Sequence, residues 1–241
     1  MLGLGARLRL AKLYLCTDAR TATDDLDLFL TAVLRGGVDV VQIWQPGLDP
    51  EQELAAVRTA REAARRYQAL VLVNGSADLT AESGADGLHL GPTEPSARAQ
   101  RDRIGRFPLI GRTAQSGEQI EAVLADPDLD YFSIGPVHRT PTVPQARPVG
   151  LDLVRQAARV APVADPETKP WFAIGGIDET TIDDVIEAGA RRVAVVRAIT
   201  AADDPGAAAE RLSDRLRRAW REDPAMEAYA FAAAAWSGPN R

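Results

Sequence analysis

One cysteine, Cys16, stands in a chain of 241 residues. It cannot form an internal disulfide. Its place in an apolar run makes it a buried strand residue, in a protein expected to be cytoplasmic. No apolar stretch approaches the ~18 residues that span a bilayer, and the segment from Met1 to Leu10 is too short and too broken by arginine for a secretory signal. Basic residues form no long run and the net charge is −6, which argues against a nucleic-acid partner. Carboxylates are scattered as well. Asp18, Glu94 and Asp130 come from three strands, with Gly75 and Pro92 standing where metal ligands would help most. Asp78 and Asp86 fall on turns or helix starts, where capping explains them. A magnesium–diphosphate site needs at least one or two carboxylates facing the phosphates, so the expectation is no bound metal and no cofactor, with Glu94 the one remaining metal candidate.

What is present is an alternation. Short β-branched runs at 13–16, 38–43, 70–73, 87–90, 109–111, 131–134, 171–174 and 192–196 read as strands. Between them lie amphipathic stretches at 23–34, 51–67, 77–83, 96–104, 118–124, 151–160, 179–187 and 205–218. Asp49-Pro50 opens the second of these with proline at the first helical position. Strands alternating with helices of this length predict a parallel sheet, and eight such units predict a closed (β/α)8 TIM barrel, single-domain, over residues 1–220. An open doubly wound sheet is the competing arrangement. Residues 221–241 read as an Ala-rich tail that either adds a helix or is loosely ordered.

In barrels of this kind the chemistry lies at the C-terminal ends of the strands, and that rule selects the residues to weigh. Gly175-Gly176 after the seventh strand, with Val196 and Arg197 after the eighth, can bring backbone N–H groups close to a phosphate monoester; a tight turn without ligand is the alternative. The loop at 135–150 is proline-rich and carries Thr140 and Thr142, as expected of a lid. His138 on that loop is a candidate general acid or base, or else a solvent-facing histidine. His89 is expected to hydrogen-bond within the rim. Gln42, Trp44, Asn74, Gln115 and Ser116 complete the set.

Lys12-Leu-Tyr-Leu-Cys-Thr-Asp-Ala-Arg20, Gly84-Ala-Asp-Gly-Leu-His-Leu-Gly91, Gly135-Pro-Val with Thr140-Pro-Thr142, Trp171-Phe-Ala-Ile-Gly-Gly-Ile177 and Val195-Val-Arg-Ala-Ile199 resemble thiamine phosphate synthase, most closely its actinobacterial members. The resemblance reaches to about Arg218. It implies a TIM barrel, usually a homodimer, that joins a hydroxymethylpyrimidine diphosphate to a thiazole phosphate and releases magnesium-bound pyrophosphate. Several positions depart from the family's pattern. Gln42 stands, but Trp44 and Pro46 replace two basic residues. Asn74 stands, but Gly75 replaces a metal-binding aspartate. The family's second carboxylate falls on Glu94. Thr140 and Thr142 stand, but Val143 replaces a lysine, and Ser116 matches a family serine.

Three lost cations and one lost metal ligand would weaken diphosphate binding by about 5 kcal/mol or more, unless Arg112, Arg139 or Arg147 substitutes. The expectation is therefore a divergent member that binds a small phosphorylated heterocycle without magnesium–diphosphate transfer, with His138, Glu94 and Ser116 as candidate catalytic groups. A related tautomerase branch uses a histidine where Gln115 stands, and Gln115 cannot transfer protons. Two alternatives remain open. One is a working synthase with a rebuilt diphosphate site, for which Mg2+ is implied. The other is a non-catalytic ligand-binding protein.

Overall fold

The computed structural model describes residues 2–236. Eight parallel strands close into one barrel in chain order: β1 (Leu13–Thr17), β2 (Val40–Ile43), β3 (Leu70–Asn74), β4 (Gly87–Leu90), β5 (Leu109–Ala114), β6 (Tyr131–Ile134), β7 (Trp171–Ile174) and β8 (Val193–Val195). The seam is a parallel pairing of Leu13 with Val193 and Leu15 with Val195. This is the predicted (β/α)8 barrel, not the open sheet.

Strand alternation decides what faces where. Leu13, Leu15, Val41, Val71, Val73, Leu88 and Ile110 point outward and bury themselves against the helices. Each such side chain contributes roughly 1.5–3 kcal/mol by leaving water. The opposite set, including Tyr14, Val40, Leu72, Tyr131 and Phe172, fills the barrel interior. One position there must be glycine. A Cβ on Gly111 would run into the Tyr131 ring, so its absence lets that ring cross the barrel.

The helices that follow the strands are α2 (Leu26–Arg35), α3 (Pro50–Arg65), α4 (Ala77–Ser83), α5 (Ala97–Ile104), α6 (Gly117–Ala125), α7 (Gly150–Val160), α8 (Ile182–Glu187), α9 (Arg197–Thr200) and α10 (Pro205–Glu222). Asp49 caps α3 as expected, accepting from Glu51 N at 2.9 Å. The start of α2 differs from the sequence reading, at Leu26 rather than residue 23. Arg20 takes the Asp25 carboxylate in two bonds of 2.6 and 2.9 Å, and the segment before Leu26 stays a turn. β5 also runs further than predicted, because Arg112, Thr113 and Ala114 continue pairing with β6. The polar side chains of Arg112 and Thr113 hid that from a hydrophobicity pattern.

The N-terminal ends of the strands are closed by two helices. α1 (Leu4–Leu10) places Leu8 in the interior cluster, and Arg7 donates to Gln68 O and Ala69 O at 2.8 and 2.6 Å. α11 (Pro224–Ala234) packs on this end through Met226, Tyr229 and Ala233, against Trp220. Arg192, with no solvent exposure, donates to Arg9 O and to Tyr229 Oη, both at 2.8 Å. The predicted tail is thus a helix as far as Ala234, its 220/221 boundary falls inside α10, and residues 237–241 lie outside the described residues. Among the described residues no helix is long and apolar enough to cross a membrane.

Candidate active site

The C-terminal ends of the strands surround a cavity of about 620 Å³. A smaller one of about 290 Å³ adjoins it, and Trp44, half-buried and anchored by its amide to Thr17 O at 2.8 Å, borders both. The floor of the larger cavity is the top layer of inward strand residues, in which every polar side chain has a neighbour. Tyr14 Oη donates to Gln42 Oε1 at 2.5 Å, and Gln42 Nε2 donates to Asn74 Oδ1 at 2.9 Å. Across the floor, His89 Nδ1 lies 3.1 Å from Tyr131 Oη, and its Nε2 lies 2.8 Å from Thr113 Oγ1. Thr113 Oγ1 is 2.9 Å from Ser133 Oγ. His89 therefore bonds within the rim, as its position in the sequence implied. Burial, seconded by the Arg112 charge, pushes its pKa down to about 4, so the ring is neutral near pH 7. Burial also pushes the Cys16 thiol up to about 12, which leaves it protonated and poorly nucleophilic.

The opposite wall is made of backbone. Gly175 and Gly176 have φ of +100° and +63°, a region that costs an L-residue strain. A Cβ on Gly175 would stand 2.5 Å from Pro136, and one on Gly176 would stand 2.7 Å from His138 Cβ and Arg139 O. Both glycines thus let the β6 loop lie against the β7 turn, where Val137 N and His138 N donate to Ile174 O and Gly175 O at 2.8 and 2.9 Å. Val196 caps α9, so the first amides of that short helix, at Arg197 and Ala198, have no acceptor within it and border the cavity.

The cavity brings together Gln42, Trp44, Asn74 and Gln115 on one side and Thr140, Thr142, Gly175, Gly176, Val196 and Arg197 on the other. Gln115 Nε2 donates to Gly135 O at 3.2 Å, and Thr140 Oγ1 accepts from Thr142 N at 3.3 Å. Three candidates border neither cavity. Ser116 caps α6, its Oγ accepting from Gln119 N at 3.3 Å. Glu94 reaches back to Gly91 N with Oε2 at 2.8 Å. His138 packs against the Gly176 turn, while the next residue, Arg139, borders the cavity. Asp130 sits at the far end of β6, paired with Arg101 at 2.6 Å and bonded to Ile110 N.

Three groups were not singled out from sequence. Tyr14, Thr113 and Ser133 reach the floor because every second strand residue points inward, a period-two signal present in the sequence but masked by their mixed polarity. The arginines divide sharply. Arg112 is committed to the carbonyls of Gly91, Glu94 and Pro95. Arg139 and Arg197, both exposed at the mouth, have no hydrogen bond or ion pair from their side chains among the described residues.

A magnesium site built by the protein does not fit these residues. A Cβ on Gly75 would stand 3.0 Å from Glu94 Oε1, so Glu94 already fills the space where a second carboxylate would project. Among the described residues no three His, Cys, Asp or Glu side chains gather.

Comparisons with known proteins agree with this architecture. The family described as thiamine monophosphate synthase matches residues 13–199. A thiamine-phosphate synthase of Mycobacterium sp. (strain KMS) is 49% identical over 222 residues, covering 88% of this chain and 96% of its own. One from Thermobifida fusca is 49% identical over 213 residues, covering 88% and 95%. The solved thiamine phosphate pyrophosphorylase of Pyrococcus furiosus superposes with a TM-score of 0.76 at 27% identity, covering 88% of this chain and 98% of that one. These relatives overturn the expectation of a barrel without magnesium–diphosphate transfer, and the non-catalytic alternative with it. The error was physical. Weight was placed on the cations missing at positions 44, 46 and 143, while Arg139, considered as a substitute, and Arg197, assigned to the phosphate cradle, both border the cavity.

Proposed function

The chain belongs to the thiamine monophosphate synthase family, and from that premise we propose that it condenses a hydroxymethylpyrimidine diphosphate with a thiazole phosphate to give thiamine phosphate and pyrophosphate. What carries this reading is the 49% identity, spread over 222 residues, to a protein of that name. The cavity supports it, since two heterocycles and their phosphates need a floor, a phosphate cradle and free cations in one enclosure.

The reaction breaks the C–O bond between the pyrimidine methylene and the diphosphate, and the electron pair leaves with the diphosphate. The thiazole nitrogen then supplies its lone pair to the methylene, forming the C–N bond. No net proton is transferred, so a site whose only buried histidine is held neutral and whose cysteine is held protonated is adequate. Catalysis rests on stabilising charge as it develops on the leaving group and on holding two reactants in line.

Each wall has a part in this. The Gln42–Asn74 floor orients the pyrimidine ring, and the Trp44 indole offers it a stacking face. Gly175, Gly176 and the first amides of α9 receive the thiazole phosphate. Arg139 and Arg197 meet the departing diphosphate, each through a charge-assisted hydrogen bond of roughly 1.5–3 kcal/mol. A family magnesium ion would neutralise further diphosphate charge; the residues here do not build a site to hold it, and no step above runs through it.

The test is product formation. Purified protein with both substrates at millimolar concentration is expected to release thiamine phosphate and pyrophosphate in equal amounts. No thiamine phosphate above the uncatalysed background would sink the reading.

A further inference from the structure

We propose that Tyr14 is a positioning residue: by fixing the amide of Gln42 it makes Asn74 present its NH2, not its carbonyl, to the heterocycle, so the floor selects a ring with a nitrogen acceptor at that point. This rests on the reading of the cavity as the pyrimidine site.

Gln42 Oε1 has two groups against it, Tyr14 Oη at 2.5 Å and Cys16 Sγ at 3.6 Å. Both are buried, and burial keeps both protonated. A side-chain amide has one accepting end and one donating end, and its orientation follows from the partners around it. With an O–H and an S–H on the β1 side, the Gln42 oxygen turns toward β1 and its NH2 toward β3. There it donates to Asn74 Oδ1 at 2.9 Å. That contact uses the Asn74 oxygen, so the Asn74 NH2 is left without a partner among the described residues, and Asn74 borders the cavity.

The floor therefore offers a donor. An aminopyrimidine ring presents an unprotonated nitrogen and completes the chain Tyr14, Gln42, Asn74, ring. An oxopyrimidine whose ring nitrogen carries hydrogen sets donor against donor, and a buried mismatch of this kind is discriminated strongly. Tyr14 touches neither substrate in this scheme; it acts through Gln42.

Binding of two uncharged probes tests this without turnover: the hydroxymethyl aminopyrimidine alcohol and its oxo analogue, titrated by calorimetry. The wild-type protein is expected to favour the amino compound by about tenfold or more. Tyr14→Phe is expected to narrow the ratio to within about threefold, because the Gln42 amide is then free to reverse. Gln42→Glu is expected to invert it. A carboxylate only accepts, so it draws the Asn74 NH2 toward itself and turns Asn74 Oδ1 to the ring. Gln42→Glu decides the matter if Tyr14→Phe does not fold. Equal affinities in the wild type, an unchanged ratio in Tyr14→Phe, a retained amino preference in Gln42→Glu, or no binding of either probe at millimolar concentration would each overturn the proposal. The product assay stands apart: a ratio that behaves as expected with no thiamine phosphate formed sinks the synthase reading alone, and turnover without the ratio sinks only the role of Tyr14.

Discussion

The two ends of the barrel use arginine in opposite ways. At the N-terminal end Arg7, Arg9 and Arg192 are committed to the fold. Arg7 holds the carbonyls before β3, Arg9 bonds Thr168 O at 2.8 Å, and Arg192 ties α1 to α11 through Arg9 O and Tyr229 Oη. At the mouth, Arg112 is committed in the same manner, but Arg139 and Arg197 are exposed with no partner for their side chains among the described residues. A cation bonded to backbone carbonyls is structural wherever it lies; one at a cavity rim without such acceptors is available to an anion. Counting basic residues at fixed sequence positions cannot separate these uses.

Substitution at each end should give opposite readouts. The largest effect is expected from Arg139→Ala combined with Arg197→Ala. Two charge-assisted bonds to the diphosphate are lost, and kcat/KM for the pyrimidine diphosphate should fall about 10³-fold with an unchanged melting temperature. Steady-state kinetics beside a thermal melt checks both halves. A drop in melting temperature of several degrees would erase the contrast between the two ends.

Arg192→Ala should do the reverse. It removes the donor that Arg9 O and the Tyr229 hydroxyl share, leaving them bonded only to each other at 3.3 Å, and opens a void between Trp220 and Tyr229, whose ring centroids each lie 5.2 Å from the guanidinium. A loss of about 3 kcal/mol in urea unfolding is expected, with kcat/KM unchanged. Arg192→Met should recover most of it, because a well-packed apolar replacement avoids burying a charge.

The third effect belongs to the mouth but is read as stability. His89 is held neutral with its pKa pushed down to about 4 from an ordinary 6.5. Between those values the unfolded chain binds a proton that the native state refuses. Stability is therefore full above about pH 6.5 and falls as pH drops toward 4, by about 3 kcal/mol in total. Urea melts across that window should show the slope, and His89→Gln should flatten it.

The barrel was legible in the sequence because its strands are β-branched runs buried on both faces, and its helices carry ordinary caps such as Asp49. Elements that lack a long apolar period were not legible. α1 and α9 are too short to show one, and α11 (Pro224–Ala234, rich in alanine) has no polar face to contrast. At the site, the glycine turn and the residues at strand ends gather as their positions implied: Gln42, Trp44, Asn74, Gln115, Thr140, Thr142, Gly175, Gly176, Val196 and Arg197 all border one cavity. Glu94 and Ser116 are drawn to local backbone instead, and His138 packs against the Gly176 turn. A carboxylate three residues after a free amide and a serine before a helix find nearer partners than a ligand, while the His138 ring is turned away from the cavity, its Nε2 buried without a partner among the described residues. Those choices are made by loop conformation, which residue type alone does not encode.

The most direct test of the contrast between the two ends is a crystal structure of the protein with inorganic pyrophosphate. The account expects pyrophosphate at the mouth, with the guanidinium groups of Arg139 and Arg197 in hydrogen-bond contact with its oxygens. Pyrophosphate seated elsewhere, or seated at the mouth with both guanidinium groups turned into solvent, would contradict it.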